Sequence, residues 1–142
     1  MPGALLALVL AGCGADSGTG LTAGDVRILA PLPGQDTVVA YLTLTNRGDT
    51  PVGITGVTSP EFGSVEMHAT IYSGDVARMV MLDELTVGAD SSVELTTGGR
   101  HLMLMDPRVS LAPGDEVTLE FEYGADAPLR VSAPLEPRDL AD

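Results

Sequence analysis

Two residue types that bind metal ions are concentrated in one central stretch of this 142-residue chain. Both histidines, and all of the six methionines except Met1, lie between Met67 and Met105. Imidazole binds copper, zinc or iron, whereas the methionine thioether is a soft, uncharged donor of the kind that selects Cu(I). The single cysteine, Cys13, excludes a Cys-x-x-Cys site, so any soft-metal site has to take its sulfur from methionine.

Strand geometry sorts these residues into two sets, because successive side chains of a strand point to opposite faces. In the run 101–105, the histidine and both methionines share one face, while the two leucines share the other. In the run 77–82, Met79 and Met81 share a face that lies opposite Val80. The alternation therefore separates a Leu/Val set suited to the core from a His/Met set available to a metal ion.

Methionine is also a common core filler, so the residues alone leave two interpretations open. Core packing is the better explanation for Met67. Met81 and Met105 fit either the core or an apolar collar around a metal ion. The remaining donors are the candidate ligands of one Cu(I) ion: His68, Met79, His101 and Met103.

The elements that would position these donors are short strands. From Asp25 onward, runs rich in Val, Leu, Thr and Tyr alternate with turns that contain Gly, Pro and Asp, and no stretch has apolar residues at helical spacing over three turns. This pattern predicts an all-β fold, a two-sheet β-sandwich of eight or nine short strands with Greek-key connections. The clearest predicted strands are 37–45, 52–57, 64–72, 77–82, 92–96, 101–105, 116–123 and 129–133.

The N-terminus has the features of an export segment. Residues 4–11 read ALLALVLA, an apolar run too short to span a bilayer, and the Leu-Ala-Gly-Cys string at 10–13, in which the run ends, resembles the lipobox of bacterial lipoproteins. That resemblance implies a lipid attached at Cys13, which would tether the domain on the extracytoplasmic side of the membrane. We expect a signal and lipobox at 1–13, a flexible spacer at 14–24, a β-sandwich domain at 25–134 and a tail at 135–142.

Composition argues against several functional classes. With 20 Asp and Glu against 7 Lys and Arg, the formal net charge is -13, which would repel a nucleic-acid backbone. A blue-copper electron carrier needs a cysteine thiolate, and Cys13 belongs to the export segment. A hydrolase needs a nucleophile paired with a base, and the chain offers only two histidines for that role. We therefore do not expect an enzyme.

The candidate ligands have a characteristic spacing. Ten residues separate His68 from Met79, and twenty-one separate Met79 from the second histidine. One residue separates His101 from Met103. This arrangement resembles the H-x10-M-x21-H-x-M motif of the PCuAC-type periplasmic copper(I) chaperones. Residues 40–46, 65–68 and 98–105 are also similar to segments of that family, and the resemblance extends over about 25–134.

The resemblance implies a cupredoxin-like Greek-key β-sandwich that holds Cu(I) and delivers it to the CuA centre of cytochrome c oxidase or to a SCO-like assembly factor. Many members have a methionine after the first histidine, where this chain has Ala69. Others carry a C-terminal His/Met-rich extension; the tail here has neither residue, so we expect one site. The alternative is a non-metal lipoprotein that binds a protein partner through a Met-rich patch, with its histidines directed elsewhere.

Overall fold

The computed structural model describes residues 20–124 and 127–138. The predicted signal and lipobox, Cys13, most of the predicted spacer and the last four residues of the tail lie outside these ranges. The described ranges contain no helix that is long and apolar enough to cross a membrane. They form eleven strands: β1 Leu21–Leu29, β2 Val38–Asn46, β3 Val52–Ile54, β4 Gly56–Thr58, β5 Phe62–Ser73, β6 Val76–Met81, β7 Leu85–Val87, β8 Ser91–Leu95, β9 Arg100–Pro107, β10 Glu116–Glu122 and β11 Leu129–Glu136.

Nine of these strands form one sheet that closes on itself. The strands follow the order β1-β11-β10-β4-β5-β9-β2-β8, and an additional pairing between β1 and β2 closes the ring. Strand β6 pairs with β5 outside this order, and β3 pairs with β7 in a small separate sheet. The β1–β11 pairing is parallel. Apolar side chains from all around the ring, among them Phe62, Leu104 and Phe121, are fully buried in the enclosed core.

The strand count is eleven rather than the eight or nine that we expected. The predicted strand 52–57 is two strands, because the chain changes partner at Thr55: β3 pairs with β7, and β4 pairs with β10. The backbone N–H of Thr55 donates a hydrogen bond to the carbonyl of Glu122 at this junction. Strand β7 has only three residues and was missed because so short a run gives no alternation to recognise.

The sheet also extends beyond both predicted domain limits. Strand β1 begins at Leu21, inside the segment expected to be spacer, and β11 ends at Glu136, inside the segment expected to be tail. The register of β1 against β2 shifts between Gly24 and Arg27, where Asp25 has a φ of 52°. This irregularity lets a strand continue through a Gly-Asp pair that, in sequence, resembles a turn.

A buried amide secures the end of β2. The Nδ2 of Asn46, a residue with no exposed surface, donates to the carbonyl of Thr50 at 2.8 Å and to those of Val87 and Gly88 at 3.2 Å each. Its Oδ1 accepts a hydrogen bond from the N–H of Gly48 at 2.9 Å. Because its hydrogen-bonding groups are satisfied, this buried polar side chain stabilises the corner where β2 meets β7.

Strand β5 is the longest strand and organises the region of interest. Strand β9 lies along one side of it, while β4 and β6 share the other side. Strands β5 and β6 form a hairpin closed by the two-residue turn Gly74-Asp75, with Ser73 and Val76 as the last pair. Gly74 has a φ of 61°, which favours glycine at this turn position. The tight turn fixes the register of β6 against β5.

Candidate metal centre

The chain's histidines and most of its methionines lie on one face of strands β9, β5 and β6. Residues directly opposite each other in adjacent strands share a face. His68 on β5 lies opposite His101 on β9 and opposite Met81 on β6. We call this surface the donor face, and its members, by register, are Ser64, Glu66, His68, Thr70, Met79, Met81, His101, Met103 and Met105.

Residues on the donor face fall into successive rows that run across the strands. The central row holds His101, His68 and Met81. One row toward the start of β5, Met103 lies opposite Glu66. One row toward the hairpin turn, Met79 lies opposite Thr70. The structure thus brings both histidines together and places the two predicted thioether ligands in the rows on either side of them.

The two imidazole rings are close neighbours. Their centroids are 5.8 Å apart, and their planes are inclined by 37°. His101 is only 7% exposed, and the side chain of His68 is 16% exposed. Two imidazoles at this separation are suitably placed to bind one ion from neighbouring strands, with little solvent competing for them.

Hydrogen bonds leave one nitrogen of each ring available as a ligand. The Nδ1 of His101 donates to the carbonyl of Gly99 at 3.2 Å, so its Nε2 carries the lone pair. The Nε2 of His68 donates to Oε2 of Glu66 at 2.7 Å, which leaves the lone pair on Nδ1. Ligating histidines commonly donate their other ring N–H to such an acceptor, which orients the ring.

The free nitrogen of His68 is also buried without a partner. Within the described ranges, its Nδ1 has no hydrogen-bonding group in reach. A buried polar atom left unpaired costs about 1–3 kcal/mol. Coordination of a metal ion would satisfy this atom, so the site fits a ligand that accepts an imidazole lone pair.

Burial lowers the pKa of His101 from its ordinary value of 6.5. Desolvation is the largest cause and the neighbouring His68 adds to it, whereas the hydrogen bond to the carbonyl of Gly99 acts in the opposite direction. The imidazole is therefore neutral at neutral pH. A neutral imidazole is the form that binds a metal ion.

The methionines divide between the core and the donor face. Met67 is 6% exposed and packs in the core, as expected from the sequence. Met103 and Met105 are partly buried. Met79 and Met81 are 58% and 59% exposed, so neither is a core residue. The methionine residues on β6 are thus more than half exposed, whereas the imidazoles beside them are largely covered.

The donor set is distinctive in its chemistry. The described residues contain no group of three or more His, Cys, Asp or Glu side chains that is arranged to hold a metal ion. Zinc sites are built from such ligands and rarely from thioethers. Two imidazoles with neighbouring methionine sulfurs are instead a donor set for Cu(I).

Sequence reasoning missed two features of this face. It gave no role to Glu66, although a carboxylate two residues from a histidine on a strand shares its face and can orient it. It also left open the place of Met81, which lies directly opposite His68. The Gly74-Asp75 turn was the available signal for that register.

Comparison with known proteins finds relatives of this chain by sequence. A model of the family described as "Putative lipoprotein LpqE-like" matches residues 21–135. "Uncharacterized protein RP573" of Rickettsia prowazekii is 34% identical over 84 residues, which cover 58% of this chain and 46% of that protein. "Putative lipoprotein Lxx21020" of Leifsonia xyli is 29% identical over 101 residues, which cover 69% of this chain and 61% of that protein. The chain therefore matches less than two thirds of the length of either relative.

Solved structures share the fold. The copper-bound PCuAC domain from PmoF2 superposes with a TM-score of 0.69 at 22% identity, over 84% of this chain and 94% of that one. The CuI form of DR1885 from Deinococcus radiodurans superposes with a TM-score of 0.64 at 31% identity, over 80% of this chain and 76% of that one. The expected all-β, cupredoxin-like fold is confirmed.

Proposed function

This chain belongs to the LpqE-like family and is related to PCuAC domains, and from that premise we propose that it is an extracytoplasmic copper chaperone. It binds one Cu(I) ion as cargo and delivers it to the CuA centre of cytochrome c oxidase or to an assembly factor of that centre. In this proposal the ligands are the four residues of the motif: His68, Met79, His101 and Met103.

One observation carries the proposal: the paired imidazoles of His68 and His101. Their ring centroids lie 5.8 Å apart, and each ring has one nitrogen engaged in a hydrogen bond and the other free. Met103 lies one row away on the same face. This is a preorganised nitrogen pair beside a soft sulfur donor, and such a combination favours Cu(I) over harder ions.

The chemistry of the ligands supports transfer rather than permanent retention. Thioethers and imidazoles are neutral, so the bound ion keeps a charge of +1 and no ligand has to be ionised. A thiolate acceptor binds Cu(I) more strongly than a thioether does, because it combines a soft sulfur with a negative charge. The exposed residue Met79 gives such an acceptor a point of access.

The proposed location is the outer face of the cytoplasmic membrane, with a lipid anchor at Cys13. The description of the matching family as lipoproteins supports this location, as does that of the relative from Leifsonia xyli. In such a compartment a methionine site has an advantage over a cysteine site, because thioethers do not form disulfides.

The rival interpretation, a Met-rich patch that binds another protein without metal, predicts histidines directed away from the methionines. The pairing of His68 with His101 and Met81 on one face favours the metal site instead. The exposed apolar side chains of the β5–β6 hairpin, among them Tyr72 and Val76, fit the patch that the rival requires, but they do not account for the paired imidazoles.

The decisive experiment is an anaerobic Cu(I) titration against a competing chelator, with the wild type and Met103→Leu. Leucine keeps the volume of the side chain and removes the sulfur. We expect one equivalent of Cu(I) to bind the wild type and affinity to fall in the variant. Failure of the wild type to bind Cu(I) would overturn the proposed function.

Delivery is tested separately, by mixing the Cu(I)-loaded protein with an apo CuA domain under reducing conditions. We expect the visible spectrum of CuA to appear after addition of a second equivalent and reoxidation. An acceptor that remains copper-free would contradict delivery to CuA while leaving copper binding intact.

A further inference from the structure

Strands β5 and β6 extend past the neighbouring strands at their hairpin turn. Strand β9 begins opposite Ala69, and β4 pairs with β5 only at Val65, so within the described ranges no further strand pairs with the outer part of the hairpin. Every residue from 71 to 79 is exposed. We call residues 71–78 the hairpin tip. It is a two-stranded projection that the rest of the sheet does not cover.

The hairpin tip is apolar on both of its faces. Tyr72, on the same face as the donor residues, is 63% exposed, whereas Ile71 and Val76 lie on the opposite face and are 46% and 66% exposed. Five of the six exposed large hydrophobic side chains of the described ranges belong to the β5–β6 hairpin, and the sixth is Val109. Such a concentration indicates a contact surface rather than apolar residues scattered singly.

Charge also distinguishes the hairpin tip from the rest of the chain. The formal net charge of the whole chain is -13, whereas residues 71–78 contain one acidic residue, Asp75, and one basic residue, Arg78. The tip therefore carries no net charge. Anionic lipid headgroups repel the acidic remainder of the chain, but they do not repel this projection.

The hairpin tip lies at the end of the sheet where the chain enters from Cys13. One row of the sheet runs from Met67 on β5, through β9, to Ala40 on β2. Both of these strands are antiparallel to β9, so they run in the same direction. Six residues beyond the row are Ser73, beside the turn, and Asn46, which pairs with the first residue of β1. The start of β1 and the hairpin turn are therefore at the same end.

The tether to this end of the sheet is short. Seven residues, 14–20, separate Cys13 from Leu21. Even a fully extended chain of this length spans at most about 28 Å. A lipid attached at Cys13 therefore keeps the hairpin end of the sheet close to the membrane, and it raises the effective concentration of the hairpin tip at the lipid surface.

The apolar residues on both faces favour a lipid surface over a protein partner. A protein packs against one side of a hairpin, whereas headgroups and acyl chains surround a projection that enters them. Tyr72 is suited to this boundary, because the ring of a tyrosine is apolar and its hydroxyl stays hydrated. Entry also removes the side chains of Ile71 and Val76 from water, which stabilises the contact.

We propose that the hairpin tip is a membrane contact, in which Ile71, Tyr72 and Val76 enter the headgroup region of the bilayer that anchors Cys13. This inference rests on the proposed location and adds a second attachment point to the lipid anchor. The histidine pair lies farther from the turn, so it stays outside the lipid. The donor face is then directed along the membrane, toward an acceptor anchored in the same bilayer.

The test uses tryptophan as a reporter, because the chain contains none. Tyr72→Trp is compared with Val109→Trp, the matched control, since Val109 is 51% exposed and follows the far end of β9. Each full chain is attached through Cys13, its single cysteine, to phosphatidylcholine vesicles that contain a maleimide lipid and dibrominated acyl chains. We expect Tyr72→Trp to lose most of its fluorescence and to emit at shorter wavelength, and the control to change in neither respect.

A second measurement uses the wild-type chain and so does not depend on any variant folding. The chain is attached through Cys13 to phosphatidylcholine nanodiscs that contain a spin-labelled lipid, and NMR follows the methyl groups of isoleucine and valine. We expect the signals of Ile71 and Val76 to broaden and that of Val109 to stay sharp.

The outcomes separate this inference from the proposed function. Equal quenching of both variants, or a sharp Ile71 signal, would overturn the inference and leave Cu(I) binding untouched. Fluorescence of Tyr72→Trp that responds to an apo CuA domain and not to lipid would assign the hairpin tip to a protein partner and would also overturn it. Mass spectrometry of the protein extracted from bacterial membranes tests the anchor itself. An unmodified Cys13 would overturn the proposed location together with this inference.

Discussion

The two halves of the donor face are built from similar donors but differ in how firmly the fold holds them. On the β9 half, His101 is 7% exposed, its ring is hydrogen-bonded to the carbonyl of Gly99, and its strand pairs on both sides, with β5 and β2. On the β6 half, both methionines are more than half exposed, and within the described chain their strand pairs only with β5.

The comparison teaches that retention and exchange of the ion have different structural requirements. A ligand fixed by two neighbouring strands loses little further entropy when an ion binds, which favours affinity. A ligand on an outer strand is accessible to an incoming acceptor, which favours exchange. We therefore expect changes in the β9 half to affect affinity most and changes in the β6 half to affect transfer most.

The largest effect is expected for His101→Gln. It removes a covered imidazole from the central row, and we expect Cu(I) affinity to fall by more than about a hundredfold, beyond the range typical for the loss of a supporting group. Chelator competition measures the affinity. Arg100→Gln is the control, since Arg100 is an exposed neighbour on the opposite face. An unchanged Cu(I) affinity in His101→Gln would contradict the expectation that the β9 half of the donor face contributes most to affinity.

A smaller effect, and a contrast between the halves, is expected from Met103→Leu and Met79→Leu. We expect the first to weaken Cu(I) binding by about ten- to a hundredfold and the second by less than about tenfold. In stopped-flow experiments, the transfer of Cu(I) from Met79→Leu to a thiolate acceptor should be slower than the Cu(I) affinity of this variant predicts. If Met79→Leu weakened affinity more than Met103→Leu, the division of roles between β9 and β6 would be reversed.

A still smaller loss of Cu(I) affinity is expected for Glu66→Gln. The glutamine keeps an oxygen that accepts from Nε2 of His68 but loses the charge, so we expect Cu(I) affinity to fall by a few-fold, up to about tenfold. Glu66→Ala should fall further, because it also removes the acceptor that orients the ring. Glu94→Gln, with the same charge change at an exposed residue of β8, is the control. Equal effects at both positions would indicate general electrostatics rather than orientation.

The smallest effect concerns the stability of the copper-free protein in acid. Because the pKa of His101 is lower in the folded chain than its ordinary 6.5, the unfolded chain binds a proton first as the pH falls. The free energy of unfolding should therefore decrease as the pH drops below about 6.5. Thermal melts from pH 7.5 to 5 measure this trend, and His101→Gln should make it shallower. An identical pH dependence in both proteins would exclude a contribution from this residue.

Much of the donor face was predictable from alternation alone. Alternation placed His101, Met103 and Met105 together, with the fully buried Leu102 and Leu104 on the opposite face, and the ladder confirms this sorting. The core position of Met67 is also confirmed. These predictions succeed because the faces of a strand follow from positions a few residues apart in one chain segment.

The features that were missed depend on contacts between distant segments. Strand β1 crosses a Gly-Asp pair because its pairing with β2 tolerates an irregularity, and residues 52–57 divide because the chain changes partner at Thr55. Pairing between strands decides such matters, and it is set by packing across the whole sheet.

The turn at Gly74 and Asp75 restricts how the chain length between β5 and β6 can change. While the turn stays this tight, removing one residue between it and Met79 would reverse the pleat of β6, so that Val80 and Leu82 would replace the two methionines opposite Thr70 and His68. Removing or adding two residues at the same place would keep Met79 and Met81 on the donor face and would move both of them by one row along the hairpin. Functional variants of this hairpin should therefore differ in length by even numbers of residues.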